Sequence, residues 1–339
     1  MAPGHRVSRN LARLLVGWYG RGHRDLPWRR TADPYRIWVS EIMLQQTRAA
    51  AVVPYYQRFL DCFPTVEALA AASEERVLAV WSGLGYYSRA RHLREAARQV
   101  VETRGFPRDA ASLRRLPGVG DYTAAAIASI AFGEAVAVVD GNVLRVVARI
   151  QNDASDIGAA STRERFRALA QRWLGNHQPA VFNQALMELG ATVCLPRNPR
   201  CAACPLAAHC QAYRAGTVEQ LPVKLRRQIP VRLEETLMVV RSRGRVLLRR
   251  RGRESRRMAG FWDLPGPEDL PQARIASPIG EFRHTITHHH YRFVVVAATA
   301  ARPLSGPIAF QWFSLMQLVD IPLSTTARKA LNLAGVIVS

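Results

Sequence analysis

Residues 194–210 read CLPRNPRCAACPLAAHC, which places four of the chain's five cysteines within seventeen residues. The first residues, MAPGHRVSRNLARLLVGWYG, are basic but lack the long apolar run and small-residue cleavage site of a secretory leader. The expectation is an intracellular chain with reduced thiols, where clustered cysteines indicate a metal rather than disulfides. Cys194, Cys201, Cys204 and Cys210 are separated by six, two and five residues. A structural zinc site more often uses two close pairs, one for each side of a tetrahedron. A cubane iron–sulfur cluster is wider and suits ligands spread along a loop. The spacing therefore leans toward a cluster and leaves zinc, or plain stapling of the segment, open. Arg197 and Arg200 lie between the first two cysteines, so a folded loop would present both to phosphates. Cys62, alone beside Phe63, reads as a small buried hydrophobe.

The chain has 339 residues, room for two or three domains, and carries 47 Lys+Arg against 26 Asp+Glu, a net charge of +21. Lysine occurs only at positions 224 and 329, so the excess is arginine. Such a balance favours a polyanionic partner, most simply nucleic acid, although arginine-rich composition alone produces basic chains. No run of about 18 uncharged apolar residues exists, so no membrane span is expected.

From residue 8 to about 212 the apolar spacing is helical. Asp33-Pro34 reads as an N-cap followed by proline at the first helical position, opening a helix through YRIWVSEIMLQQTRAAAVV. Ser161 and Glu164 have capping-box spacing, Pro179 opens a further helix, and Gly190 is expected to close it. Residues 213–232 are polar, basic and proline-punctuated, and read as a linker. Beyond them come short strand-like runs, a turn at Ser242–Gly244, and a terminal helix through TTARKALNLAG. The expected fold is mainly α, followed by a smaller α/β module.

Three stretches carry chemistry. LPGVGDYTAAAIASIAFG places Gly118 and Gly120 in a tight turn before an alanine-rich helix, whose first N–H groups form an anion site. This is the pattern of a helix–hairpin–helix, spanning about 114–133, and WSGLGYYSRARHL repeats its Gly-x-Gly logic. Asp140 follows an apolar run and precedes a helix, so it reads first as an N-cap, a role that also fixes a carboxylate in place. Glu41 shares a helical face with Ile37, Leu44, Gln45 and Arg48. Desolvation there would raise its pKa and keep it a proton donor. The plainer alternative is a solvated contact with Arg48.

In combination these stretches resemble one family. The cysteine spacing and LPGVGDYTAAAI…VVDGNVLRV are similar to the helix–hairpin–helix base-excision glycosylases with a [4Fe–4S] loop. Within that superfamily LPWR, VSEIMLQQT, GLGYYSRARHL and VVDGNV resemble the adenine DNA glycosylases (the MutY type). The resemblance implies a glycosylase domain over 1–212, with its iron–sulfur loop at 194–210. It further implies a Nudix-like lesion-recognition domain over 233–339 and one [4Fe–4S] cluster per chain on the four cysteines. Glu41 matches the general acid, Asp140 the group that stabilises the sugar cation, and Tyr122 and Asn142 positions lining that site. Endonuclease III-like relatives, the main alternative, carry a lyase lysine two residues after the hairpin, where this chain has Tyr122.

Gln46 and Tyr86 match positions that wedge into the duplex. Arg24, Leu26, Trp28, Arg29 and Gln184 match segments around the extruded adenine, while Gly118, Gly120, Arg197 and Arg200 face the DNA backbone. The implied partner is double-stranded DNA containing 8-oxoguanine:adenine or guanine:adenine mispairs, bound by a monomer in the bacterial cytoplasm at the nucleoid. RMAGFWDLPG is similar to the Nudix turn, yet PEDLPQARIASP follows it without the carboxylate-rich helix of Nudix hydrolases, so the module reads as a damage reader. The family's Phe-Ser-His recognition loop aligns with Ile286-Thr287-His288, which keeps a hydroxyl and the histidine but not the aromatic ring.

Overall fold

A computed structural model describes residues 3–225, 229–252, 255, 258–286, 288–300 and 309–337. Two compact units emerge: residues 1–56 with 95–227, and residues 57–94 with 228–339.

The first unit is helical. Asp33 caps the helix Pro34–Leu44 by accepting from the Tyr35 N–H at 2.9 Å, with Pro34 at the first position, as its sequence implies. That helix stops nine residues short of expectation. Gln46 adopts φ +64°, a left-handed conformation that breaks the ladder, and a new helix runs Ala49–Cys62. The expected capping box is not formed: the helix Ala160–Leu174 opens after Ala159, which leaves both Ser161 and Glu164 inside the helix. The hairpin joins the helices Ala110–Leu113 and Asp121–Ala131 through a turn in which Gly118 takes φ +74°. Asp140 caps Gly141–Gln151, accepting from the Val143 N–H at 2.7 Å. This helix, Pro3–Arg21, Ala160–Leu174 and Pro179–Thr192 close over Leu11, Leu15, Val147, Phe166, Phe182 and Leu186, all buried. Each such side chain contributes about 1.5–3 kcal/mol.

Gly190 does not end its helix, which continues to Thr192. A Cβ added there would lie 2.6 Å from Asn142 Cβ, so this glycine serves close approach between two helices rather than a C-cap.

The second unit contains the sheet. Strands β1 (Val231–Ser242), β2 (Arg245–Arg250), β3 (Trp262–Asp263), β4 (Arg274–Ile286) and β5 (His289–Thr299) run in the order β3-β2-β1-β5-β4, and β6 (Phe310–Ser314) pairs with β2. Only β1 and β5 pair in parallel among the described strands. The turn expected at Ser242–Gly244 joins β1 to β2 through left-handed Arg243 and Gly244. No helix stands between β3 and β4, where a Nudix hydrolase would carry its carboxylates. The terminal helix Thr325–Leu333 packs on β1, β3 and β4. Helices Val66–Ala71 and Glu74–Trp81 belong to this unit as well. Cys62 is half-buried rather than buried, 3.9 Å from Arg76 Nη2. No helix among the described residues is long and apolar enough to cross a membrane.

Candidate active site

A cleft of about 610 Å³ opens in the helical unit, lined by Glu41, Tyr122, Asp140, Asn142, Arg24, Leu26, Trp28, Arg29, Gln46 and Gln184 among others. The helix Pro34–Leu44 packs on Asp121–Ala131, which sets Glu41 opposite Tyr122. Glu41 is 4% exposed, and Tyr122 donates its hydroxyl to Glu41 Oε2 at 2.5 Å. The solvated contact with Arg48 is therefore ruled out. Burial pushes the Glu41 carboxyl up to about 7; the Tyr122 bond opposes this, the Asp140 charge adds to it, and Arg29 opposes it. Burial, followed by the Glu41 and Asp140 charges, holds Tyr122 well above the usual phenol range, so it stays a neutral donor.

Asp140 is held by two hydrogen bonds. Besides the Val143 N–H, Asn142 Nδ2 donates to its Oδ2 at 2.8 Å. Burial raises its pKa, while these two bonds and the nearby Arg145 charge favour the anion. Arg145, buried, donates to Asn142 Oδ1 at 2.9 Å, to the Gly190 carbonyl at 2.8 Å and to the Cys194 carbonyl at 2.8 Å. Asn142 is thereby fixed from behind, and Gly190 provides the space. One helical turn on, Arg149 donates to the Leu195 carbonyl at 2.7 Å and approaches Cys194 Sγ at 3.3 Å. One helix thus carries the capped aspartate at its start and braces the cysteine loop with its two arginines.

The other end of the cleft is built on Glu188, which is 2% exposed. Arg24 donates to it through Nε at 2.9 Å and Nη2 at 2.7 Å, and Arg29 through Nη2 at 2.7 Å. Burial alone would raise the Glu188 carboxyl, but these two guanidinium groups hold it down at about 2. Arg29 also lies over the Tyr19 ring, whose hydroxyl donates to Gln184 at 3.2 Å. Trp28, buried, meets Tyr56 edge-on.

Sequence reasoning missed Glu188, Arg145 and Arg149. The available signal was a charge within an apolar helical run: Glu188 in ALMELG, and the arginines four apart in NVLRVVARI.

In the sheet unit, Tyr86 is 43% exposed with φ +49°. Ile286 packs against the module's core opposite His289, and the His288 ring lies 4.0 Å from that of His289. Thr287 lies outside the described residues. In the helical unit, Arg197 and Arg200 are exposed on the cysteine loop, and Gly118 and Gly120 are exposed in the hairpin.

No group of three or more His, Cys, Asp or Glu side chains among the described residues is arranged to hold a metal ion. Yet Cys194, Cys201, Cys204 and Cys210 line one void whose walls include Val146, Ile150, Leu189 and Leu206. Burial pushes Cys204 up to about 12 and also raises Cys201 and Cys210, with the neighbouring cysteines adding to each. Four sulfurs converging on one apolar pocket suit a cationic centre wide enough to take all four.

A carboxylate-floored cleft beside a helix–hairpin–helix defines a class, the helix–hairpin–helix base-excision repair fold. Residues 39–173 match the family described as "HhH-GPD superfamily base excision DNA repair protein", and residues 236–333 match "NUDIX domain". The chain is 44% identical over 211 residues to the adenine DNA glycosylase of Mycolicibacterium smegmatis, covering 60% of this chain and 71% of that protein. It belongs to the adenine DNA glycosylase family. The human relative of that name is 49% identical over 218 residues, 61% of this chain and 40% of its own length, so the chain spans about two fifths of that protein. A solved thermostable thymine-DNA glycosylase superposes with a TM-score of 0.56 at 29% identity, over 63% of this chain and all of that one. An endonuclease III–DNA covalent intermediate shares the fold at 22% identity, with a TM-score of 0.54 over 64% of this chain and 99% of that one.

Proposed function

We propose that this chain is a monofunctional DNA glycosylase that hydrolyses the N-glycosidic bond of adenine mispaired with 8-oxoguanine or guanine. The observation that carries the reading is a buried Glu41, near neutral pKa and bonded to Tyr122, across the cleft from a capped Asp140. Adenine leaves poorly as an anion, so a ring nitrogen must gain a proton; Glu41 at about 7 holds one to give at physiological pH. As the bond breaks, its electron pair goes to the base and positive charge develops on the sugar. Asp140, its anion favoured by Asn142 and the Val143 N–H, faces that charge. Water then adds to the sugar, and its proton passes to the Glu41 carboxylate left by the first step. A base within a duplex must first be extruded, and the cleft of about 610 Å³ accommodates one purine nucleoside. No lysine lines this cleft, which supports hydrolysis without a lyase step.

Cys194, Cys201, Cys204 and Cys210 would hold a [4Fe–4S] cluster. When bound, it supplies a rigid cross-link of the loop that presents Arg197 and Arg200 to the backbone. We place the glycosylase domain at 1–212, a linker at 213–232 and a lesion-reading module at 233–339. Arg24, Leu26, Trp28, Arg29 and Gln184 surround the adenine; Gln46 and Tyr86 wedge the duplex; Thr287 and His288 read the opposite base. The enzyme acts as a monomer on DNA at the nucleoid.

Single-turnover release from duplexes pairing adenine with 8-oxoguanine, guanine or thymine tests this, with each product split with and without alkali. Strand cleavage only after alkali, fastest opposite 8-oxoguanine, is the expected result. Cleavage without alkali, or intact adenine in every duplex, overturns it.

A further inference from the structure

The turn at residues 83–87 and the C-terminal module belong to the same compact unit. The turn is wound the unfavourable way: Gly83 and Gly85 take φ of 101° and 76°, and Tyr86, which has a Cβ, takes 49°. A non-glycine residue persists there only where its surroundings over-determine it. Those surroundings come from two sides.

On the helical side, Trp81 Nε1 donates to the Gly85 carbonyl at 3.1 Å, and Arg89 Nη2 donates to the same oxygen at 3.2 Å. The Arg89 guanidinium lies 5.3 Å from the Tyr86 ring and 5.6 Å from that of Trp81. On the module side, Ser82 Oγ donates to the Leu323 carbonyl at 3.0 Å. The Tyr87 ring sits 4.1 Å from that of Phe261. One oxygen joins the two sides: the Tyr87 hydroxyl accepts from the Gly83 N–H at 3.3 Å and shares a hydrogen bond with Thr325 Oγ1 at 3.2 Å. Tyr87 is 7% exposed, so it is a strut and not a contact surface.

Thr325 is the first residue of the terminal helix, whose cap Ser324 donates to Asp263 Oδ1 at 2.7 Å. That helix packs on β4, the strand that ends at Ile286 in the lesion-reading hairpin; Lys329 lies over the Phe282 ring. A continuous set of packed groups therefore runs from that hairpin to the turn that exposes Tyr86.

We propose that Tyr87 is a positioning residue through which the C-terminal module sets the Tyr86 turn, coupling the reading of the opposite base to the wedge. The inference rests on the reading of Tyr86 as a wedge given above. The module then has two tasks, contact with the lesion and bracing of the side chain that opens the stack.

The test uses the full-length protein with Tyr87→Phe, Thr325→Val, Thr325→Ser and, as a control on the underlying reading, Tyr86→Ala. Single-turnover release is measured from adenine opposite 8-oxoguanine and opposite an abasic analogue that offers no pairing partner. Fluorescence of 2-aminopurine at the target position reports extrusion. Tyr87→Phe and Thr325→Val should each slow release opposite 8-oxoguanine by about three- to tenfold, the loss expected for one hydrogen bond. The extrusion signal should fall in parallel, release opposite the abasic analogue should stay within about twofold, and Thr325→Ser should restore both readouts. Unchanged release and fluorescence in Thr325→Val, or equal slowing on both substrates, overturns the coupling. If Tyr86→Ala itself releases adenine at the wild-type rate, the wedge reading fails first and takes the coupling with it.

Discussion

Glu41 and Glu188 are buried almost equally, at 4% and 2% exposure, yet one carboxyl is pushed up to about 7 and the other held at about 2. Burial acts in the same direction on both. The difference lies in their partners: Glu41 receives one bond from a neutral phenol, while Glu188 receives bonds from two guanidinium groups. At Glu41 a single neutral donor does not offset burial, whereas at Glu188 two cationic donors more than offset it. The cleft therefore has a proton-bearing end and a permanently ionised end, suited to different tasks. Glu41 can transfer a proton; Glu188 can only hold Arg24 and Arg29 where the substrate finds them.

The same substitution at both ends separates these tasks most sharply. Glu41→Gln removes the proton donor and should slow single-turnover release by about 10²–10⁴-fold while duplex binding survives. Its fold should not weaken. An ionised buried Glu41 costs stability above the unfolded pKa, so at pH 8 the glutamine variant should gain on the order of 1–3 kcal/mol in denaturant melts. The acid works in its protonated form, so the wild-type rate should be level below pH 7 and fall as pH rises through about 7. A rate indifferent to Glu41→Gln would remove the acid role altogether.

At the other end, Glu188→Gln should act on the fold first. Two guanidinium groups lose their buried counter-charge, which costs about 3 kcal/mol. Because the folded pKa is depressed, the stability Glu188 adds is present above its unfolded pKa and lost as pH falls toward about 2. The gap between wild type and variant in denaturant melts should therefore close in acid. Release should slow as well, and its alkaline limb should move to lower pH, because the uncompensated Arg29 charge lowers the Glu41 pKa. An unmoved limb would mean the two ends are electrostatically independent.

The two ends were not equally legible in the sequence. Glu41 and Asp140 sit in stretches whose neighbours announce them: Asp140 caps its own helix three residues on, and Glu41 lies within the run that resembles the family. Glu188 is legible only once its partners, more than 150 residues away, are brought to it by the fold. The same divide explains the displaced boundaries. Asp33-Pro34 is legible because a cap is local. The break at Gln46 is not legible, because nothing in QQT forces a left-handed residue, and tertiary contacts such as Gln45 Nε2 to Thr123 at 3.1 Å join the broken segment to the hairpin helix. Gly190 has the pattern of a helix terminator, because a sequence does not show which backbone passes beside it.

That glycine offers a smaller perturbation confined to one end. Gly190→Ala places a methyl 2.6 Å from Asn142 Cβ, an overpacking that costs about 1–3 kcal/mol. Asn142 must move, and with it the 2.8 Å bond to Asp140. Release should fall further than thermal stability accounts for, while the acid-pH behaviour assigned to Glu188, two residues earlier on the same helix, stays intact. Loss of both together would show that the helix moves as a unit and that the ends cannot be perturbed separately.

The smallest expected effect isolates the one bond that opposes burial at Glu41. Tyr122→Phe keeps the ring and deletes the hydroxyl, at a cost of about 1 kcal/mol in stability. Its hydrogen bond favours the carboxylate, so removing it should raise the Glu41 pKa further and shift the alkaline limb of release to higher pH, with a rate loss within about tenfold at pH 7. The opposite shifts expected of Glu188→Gln and Tyr122→Phe make the pair diagnostic. If both limbs move down, the phenol acts through its position and not its hydrogen bond. Arg29 would then be the group that keeps Glu41 from rising beyond about 7.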